Sequence, residues 1–145
     1  MRAELPSVYI DFERAGILRS PGERVGEERV WLRLHNNTRW PIMIDMGDVP
    51  SKEYGEAEIF YDLLSGGQLI FPGQCIDVCT LNKVGTGKSL EFSLPREDLA
   101  DGRTIRISFS YSRENQNDVS GGREVEHYVY FRSSQLPHRV QLNVK

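Results

Sequence analysis

The chain has only two cysteines in 145 residues, no apolar run of membrane-spanning length, no basic surplus and almost no helical periodicity. Each shortage excludes something. Cys75 and Cys79 share the run Gly73–Leu81. On an extended strand they would lie about 13 Å apart, well beyond the ~7 Å between Cα atoms that a disulfide tolerates. The expectation is two free, partly buried thiols, which favours a reducing compartment. No stretch approaches the ~20 apolar residues of a transmembrane helix. The opening Met1–Pro6 lacks the apolar stretch of a signal peptide. As written the chain reads as cytoplasmic; as a trimmed piece of a longer precursor it would read as exported.

Eighteen Lys and Arg stand against 21 Asp and Glu, for a net charge of -3. Arg24, Arg29, Arg33 and Arg39 are interleaved with Glu23, Glu27 and Glu28. That interleaving dilutes the concentrated basic surface that phosphate backbones demand, so no nucleic-acid partner is expected. With 39% hydrophobic and 27% charged residues the composition is that of an ordinary folded domain. The length suits a single domain over residues 1–145.

What is present is a two-residue rhythm. Ile105, Ile107, Phe109 and Tyr111 alternate with Arg106, Ser108 and Ser110, the pattern of a half-buried strand. The same alternation marks Val8–Phe12, Val30–His35, Trp40–Met46 and Ser89–Leu94, while 75–81, 125–132 and 140–144 are rich in β-formers. In 56–64 a helical stripe (Tyr54, Ala57, Phe60, Leu64) competes with an alternating set (Ala57, Ile59, Tyr61, Leu63). Gly55 and Gly66-Gly67 bracket the run, so a strand is preferred. Pro95–Leu99 reads as a short helical piece of at most a turn or two, with Gly102 as its stop. His35-Asn36-Asn37-Thr38-Arg39 reads as a hairpin turn, and Arg113–Arg123 as a polar loop.

Strands without helices between them imply an all-β, antiparallel β-sandwich of about seven to nine strands. In strand spacing and size the chain resembles the immunoglobulin-like or fibronectin-type class, with a jelly roll or small barrel as the alternative. The cysteine pair that flanks a core Trp in antibody domains is missing, because Cys75 and Cys79 are too close in sequence to link two sheets.

No reactive set assembles from spacing. Gly85-Thr86-Gly87-Lys88-Ser89 hints at a phosphate loop, but Asn82 stands where the first glycine belongs and a strand, not a helix, follows. A glycine-rich hairpin turn explains it better. Cys75 or Cys79 with His35, His127 or His138 has no spacing that pairs a nucleophile with a base, and two thiols that far apart cannot share one Zn. Asp45, Asp48, Glu53, Glu56 and Glu58 lack Ca²⁺-loop spacing. No metal or other cofactor is therefore expected. Asn36-Asn37-Thr38 matches a glycosylation acceptor, though turn chemistry accounts for it.

The aromatic residues carry the remaining signal. Trp31 falls on the polar side of its strand, and Tyr128 and Tyr130 share a side opposite Val129 and Phe131. Three functional classes follow. The first is a non-catalytic binding or accessory module that meets a protein through loops 46–55 (Met46 to Gly55) and 113–123. The second is a carbohydrate-binding module using Trp31, Tyr128 and Tyr130 as exposed ligand-binding rings. The third is a small enzyme with a site at one end of the sandwich, using His127 or Cys75. Edge strands could also join two copies.

Overall fold

The computed structural model describes residues 7–18, 22, 26–46, 59–73, 80–112 and 127–138. These residues form nine strands: β1 (Val8–Leu18), β2 (Glu27–Asn36), β3 (Ile42–Met46), β4 (Asp62–Ser65), β5 (Gln68–Phe71), β6 (Thr80–Val84), β7 (Lys88–Pro95), β8 (Arg103–Tyr111) and β9 (His127–Arg132). Short 3₁₀ turns cover Arg96–Leu99 and Ser133–Gln135. All strand pairs are antiparallel. They build an all-β sandwich from a three-stranded sheet, β1-β2-β7, and a six-stranded sheet, β5-β4-β8-β3-β6 with β9 on β8.

The six-stranded sheet is only four strands deep. Thr104–Arg106 pair with β4 and β9 together, and Phe109 pairs with both β3 and β9. A strand has two edges, so β3 and β4 must lie end to end along the same edge of β8. β6 and β5 flank them in the same manner, β6 on β3 and β5 on β4.

Alternation explains the interior. Ile10, Val30, Leu32, Leu34, Phe92 and Leu94 project from the small sheet onto Ile42, Ile44, Leu63, Ile105, Ile107, Phe109, Val129 and Phe131 of the large one, and all are buried. Each such side chain contributes about 1.5–3 kcal/mol of transfer free energy relative to exposure. Leu99 and Leu136, from the two 3₁₀ turns, add to the same core. Tyr61, just before β4, donates its hydroxyl to Asp98 and so fastens the first of these turns to the large sheet. Burial, and then that bond to a carboxylate, push the phenol far above its ordinary range.

The structure corrects several expectations. β1 runs to Leu18 because Ala15–Leu18 pair with Glu27–Val30. A bulge between Phe12 and Arg14 breaks its rhythm, which hides the second half from a period-two reading. β5 shows no alternation and goes unannounced by the sequence. Its clue is Gly66-Gly67, both at positive φ, the backbone of a two-residue hairpin turn. β3 begins at Ile42, and the Trp40 ring is half exposed instead of heading the strand. Of 56–64, the described part holds Ile59 in an isolated bridge and β4 from Asp62. The strands expected at 75–79 and 140–144 lie outside the described residues, as does the 113–123 loop.

Asn36-Asn37-Thr38 is not a hairpin. β2 belongs to the small sheet and β3 to the large one, so residues 37–41 arch between sheets. Nor is the glycine turn at Gly85–Gly87 the expected hairpin: it arches in the same way between β6 and β7. Both arches are tied to Asn36, which is fully buried. Its Nδ2 donates to the carbonyls of Trp40 and Val84, each at 2.9 Å. Its Oδ1 accepts from the Thr38 amide at 3.0 Å, and the Gly87 amide donates to its backbone oxygen at 2.7 Å. A side chain enclosed in this way is unavailable for glycosylation in the folded protein.

Asn36→Asp keeps the shape but removes both donors, leaving two carbonyls against a carboxylate. A loss of about 2–4 kcal/mol in urea denaturation is expected, since each buried group left unpaired costs about 1–3 kcal/mol. Asn37→Ala, at the exposed neighbour, should cost under about 0.5 kcal/mol. Equal effects at both positions would contradict this assignment.

Candidate functional site

The sandwich has two outer faces of different character. On the small sheet, β2 lies between β1 and β7, and cross-strand neighbours set the pattern. The bulge after Phe12 turns both Glu13 and Arg14 outward. Arg33, at the centre, donates through Nε to Glu13 at 2.5 Å, through Nη1 to Ser89 at 3.0 Å and through Nη2 to Glu91 at 2.9 Å. Arg14 reaches the other oxygen of Glu91 at 3.3 Å. Arg29 donates to the hydroxyl and the carbonyl of Ser93, at 2.8 and 2.9 Å. His35 stacks on Tyr9, with ring centroids 4.6 Å apart, and its Nε2 lies 3.1 Å from Asp11.

Trp31 sits inside this lattice. It lies on the outer face, as its strand position predicts, yet it is only 6% exposed. The Arg14 guanidinium covers its ring at 4.4 Å. Gly16 lets β1 approach, because a Cβ there would come within 3.3 Å of Trp31 Cζ3. The expected exposed ring is therefore corrected: long side chains of the neighbouring strand cover it, and it offers no open platform. The clue was the Arg14-x-Gly16 pair, legible only once the bulge had set its register.

The outer face of the large sheet is more open. Tyr128 and Tyr130 are 43% and 49% exposed on β9. They lie on the opposite sheet from Trp31, so the three rings do not form one surface. Beside them on β8, Arg106 stacks on Tyr128, its Cζ 4.6 Å from the ring centroid. Arg106 also donates to Asp62 of β4, with Nε at 2.9 Å and Nη2 at 2.8 Å from Oδ2. The second Asp62 oxygen accepts the Gly73 amide at 2.9 Å. Gly73 itself packs against the Tyr61 backbone too closely for any side chain. The Tyr128–Arg106–Asp62 row is thus braced across three strands.

The candidate reactive residues are not brought together. His127 opens β9, packed on Phe109 and Tyr111 with ring centroids 5.4 and 4.8 Å away. His35 is on the other sheet, and His138 is exposed beyond β9. Cys75 and Cys79 lie outside the described residues, as do Asp48, Glu53, Glu56 and Glu58. Lys88 starts β7 directly after the turn at Gly87, so a strand follows the glycines, as the sequence indicates. Among the described residues no group of three His, Cys, Asp or Glu is placed to hold a metal ion, and no helix is long and apolar enough to cross a membrane.

Comparisons with protein-family models, with curated proteins and with solved structures return no match.

The hydrogen bond from Arg33 is the main cause that holds the Glu13 carboxyl below its ordinary range; slight burial opposes it and the positive charges of Arg33 and Arg14 reinforce it. A carboxylate lowered by folding adds stability above its unfolded pKa, and that stability is lost as pH falls through the folded value. Thermal unfolding of the wild type should therefore show a falling midpoint as pH drops below about 4.5. Glu13→Gln should be less stable at neutral pH, and the difference should shrink under acid. A difference that grows under acid would contradict the pairing.

Proposed function

We propose that this chain is a non-catalytic binding or accessory module with immunoglobulin-like topology, engaging a protein partner through the outer face of its six-stranded sheet. The topological part draws support from strand order. Constant-type immunoglobulin domains place strands A, B and E on one sheet and C, F and G on the other. Here β1-β2-β7 faces β3-β8-β9, which occupy the corresponding places in chain order, with β4, β5 and β6 between β3 and β7 and all three in the large sheet.

The observation that carries the binding reading is the exposed pair Tyr128 and Tyr130 beside an already immobilised Arg106. Tyr and Arg dominate the energetic centres of protein interfaces. Arg106 is held by Asp62 and by Tyr128, so less side-chain freedom is lost when a partner lands on it. Residues 47–55 and 113–123, outside the described set, connect β3 to β4 and β8 to β9. Those are all strands of the same sheet, and the two segments are proposed as further contact loops. A second reading, carbohydrate recognition, keeps Tyr128 and Tyr130 and loses Trp31. It is weaker because Arg106 already stacks on Tyr128.

Affinity capture from cells expressing the protein, comparing wild type with Tyr130→Ala and Tyr128→Ala, tests the proposal. A partner held by the wild type should bind at least ~10-fold more weakly to Tyr130→Ala, the loss expected on truncating an interface centre. A partner indifferent to both substitutions would overturn the assignment of this face. A glycan-array signal that depends on both rings would transfer the site to the carbohydrate reading.

A further inference from the structure

We infer that the tyrosine face recognises an acidic protein segment, whose carboxylate is received by the Arg132 guanidinium and the Tyr130 hydroxyl. This rests on the contact face proposed above and names the chemistry of what lands there. Strand register places the groups. Tyr130 faces Arg106, Arg132 faces Thr104 and Tyr128 faces Ser108 across the β8–β9 pair, while Arg106 faces Asp62 across the β4–β8 pair. Facing residues share a side of the sheet, so Arg132, two positions after Tyr130, stands beside it on the outer face. Arg132 is exposed.

Hydrogen-bond polarity selects the occupant. The outward positions of β4, β8 and β9 hold one carboxylate, Asp62, and both of its oxygens are engaged. Oδ2 accepts from Arg106 Nε at 2.9 Å and Nη2 at 2.8 Å, and Oδ1 accepts the Gly73 amide at 2.9 Å. Arg106 also hydrogen-bonds the Tyr130 side chain. A guanidinium can only donate, so the phenol oxygen accepts there and keeps its own O–H for donation outward. Arg132 adds a planar fork of N–H donors, and among the described residues it joins no ion pair. The hydroxyls of Thr104 and Ser108 serve either role. The face therefore has donors left over and its ionic acceptor taken.

A carboxylate answers that imbalance. It accepts two parallel bonds from a guanidinium fork and has lone pairs to spare for a phenol. A basic segment would meet Arg132 with like charge, and a donor-rich one would leave N–H groups unpaired under the contact. A second copy is a poor occupant, because a twofold contact sets the same donors against one another. Phosphates of nucleic acid share the acceptor chemistry, but affinity for them grows with the number neutralised. Among the described outward positions of these three strands Arg132 is the one cation without a carboxylate, and the chain as a whole carries -3. One fork suits one carboxylate.

Selection from a phage-displayed random dodecapeptide library on the immobilised full chain tests this. Peptides selected by the wild type should be enriched in Asp and Glu over Lys and Arg. Made synthetically, they should bind Arg132→Gln at least ~10-fold more weakly. Arg132→Lys, which keeps the charge and loses the fork, should fall between the two. Selection repeated on Arg132→Gln should lose the acidic bias, with circular dichroism unchanged because the residue is exposed. Peptides that need Tyr130 but show no acidic bias, or that bind Arg132→Gln as they bind the wild type, would overturn the carboxylate inference and leave the contact face standing. Peptides indifferent to Tyr130→Ala and Tyr128→Ala would remove the face itself. A library that yields no binder, or an oligothymidylate held more tightly than the best peptide, would also overturn the inference.

Discussion

The placement of the two sheets depends on one buried side chain at the point where the chain crosses between them. Hydrophobic burial brings two apolar faces together, but it is non-directional and does not choose which strands join across the gap. Asn36 supplies direction. It ends β2, and its amide reaches the carbonyl of Trp40 on the way to β3 and that of Val84 on the way to β7. Gly87 and Thr38 bond back to it. A buried polar group left unpaired is costly, so the bonds around the buried Asn36 amide reinforce one another. The two arches are thereby held in one mutual arrangement, between the sheet β1-β2-β7 and the sheet that holds β3 and β6.

Much of the architecture was legible in the sequence, for a physical reason. Where a strand is buried on one side only, solvent writes a two-residue rhythm into it. Ile105, Ile107 and Phe109 are buried as that rhythm predicts. The reading failed where another constraint broke the rhythm. The bulge at Glu13 shifts the phase of β1, and β5 is exposed on both sides and so carries no alternation. Asn36-Asn37-Thr38 looks like a hairpin because a tight turn uses the same residues whether it returns to its own sheet or crosses to the other. Long-range pairing settles which, and pairing partners are not written locally.

The candidate site was legible only in part. Tyr128 and Tyr130 are exposed on one side of β9, where alternation puts them. Trp31 obeyed the same alternation and is nonetheless covered, because an outward position need not be an open one. Among the described residues no second layer covers the outer face of the small sheet, and Arg14, Arg33 and Glu91 provide cover from within it. The large sheet leaves Tyr128 and Tyr130 about half exposed, with the braced Arg106 against Tyr128. That contrast, more than the presence of aromatic residues, separates a face that finishes the fold from one open to a partner.

Amide hydrogen exchange followed by NMR under native conditions tests the clasp most directly. The amides of Thr38 and Gly87 belong to turns, which ordinarily exchange fast, yet each donates to Asn36. If that network locks the sheets, both should exchange only through global unfolding, as slowly as Leu32 or Ile107 in the central strands. Exchange at Thr38 and Gly87 as rapid as at Gly67, in the exposed β4–β5 turn, would show that the arches open independently of the core and would contradict the account.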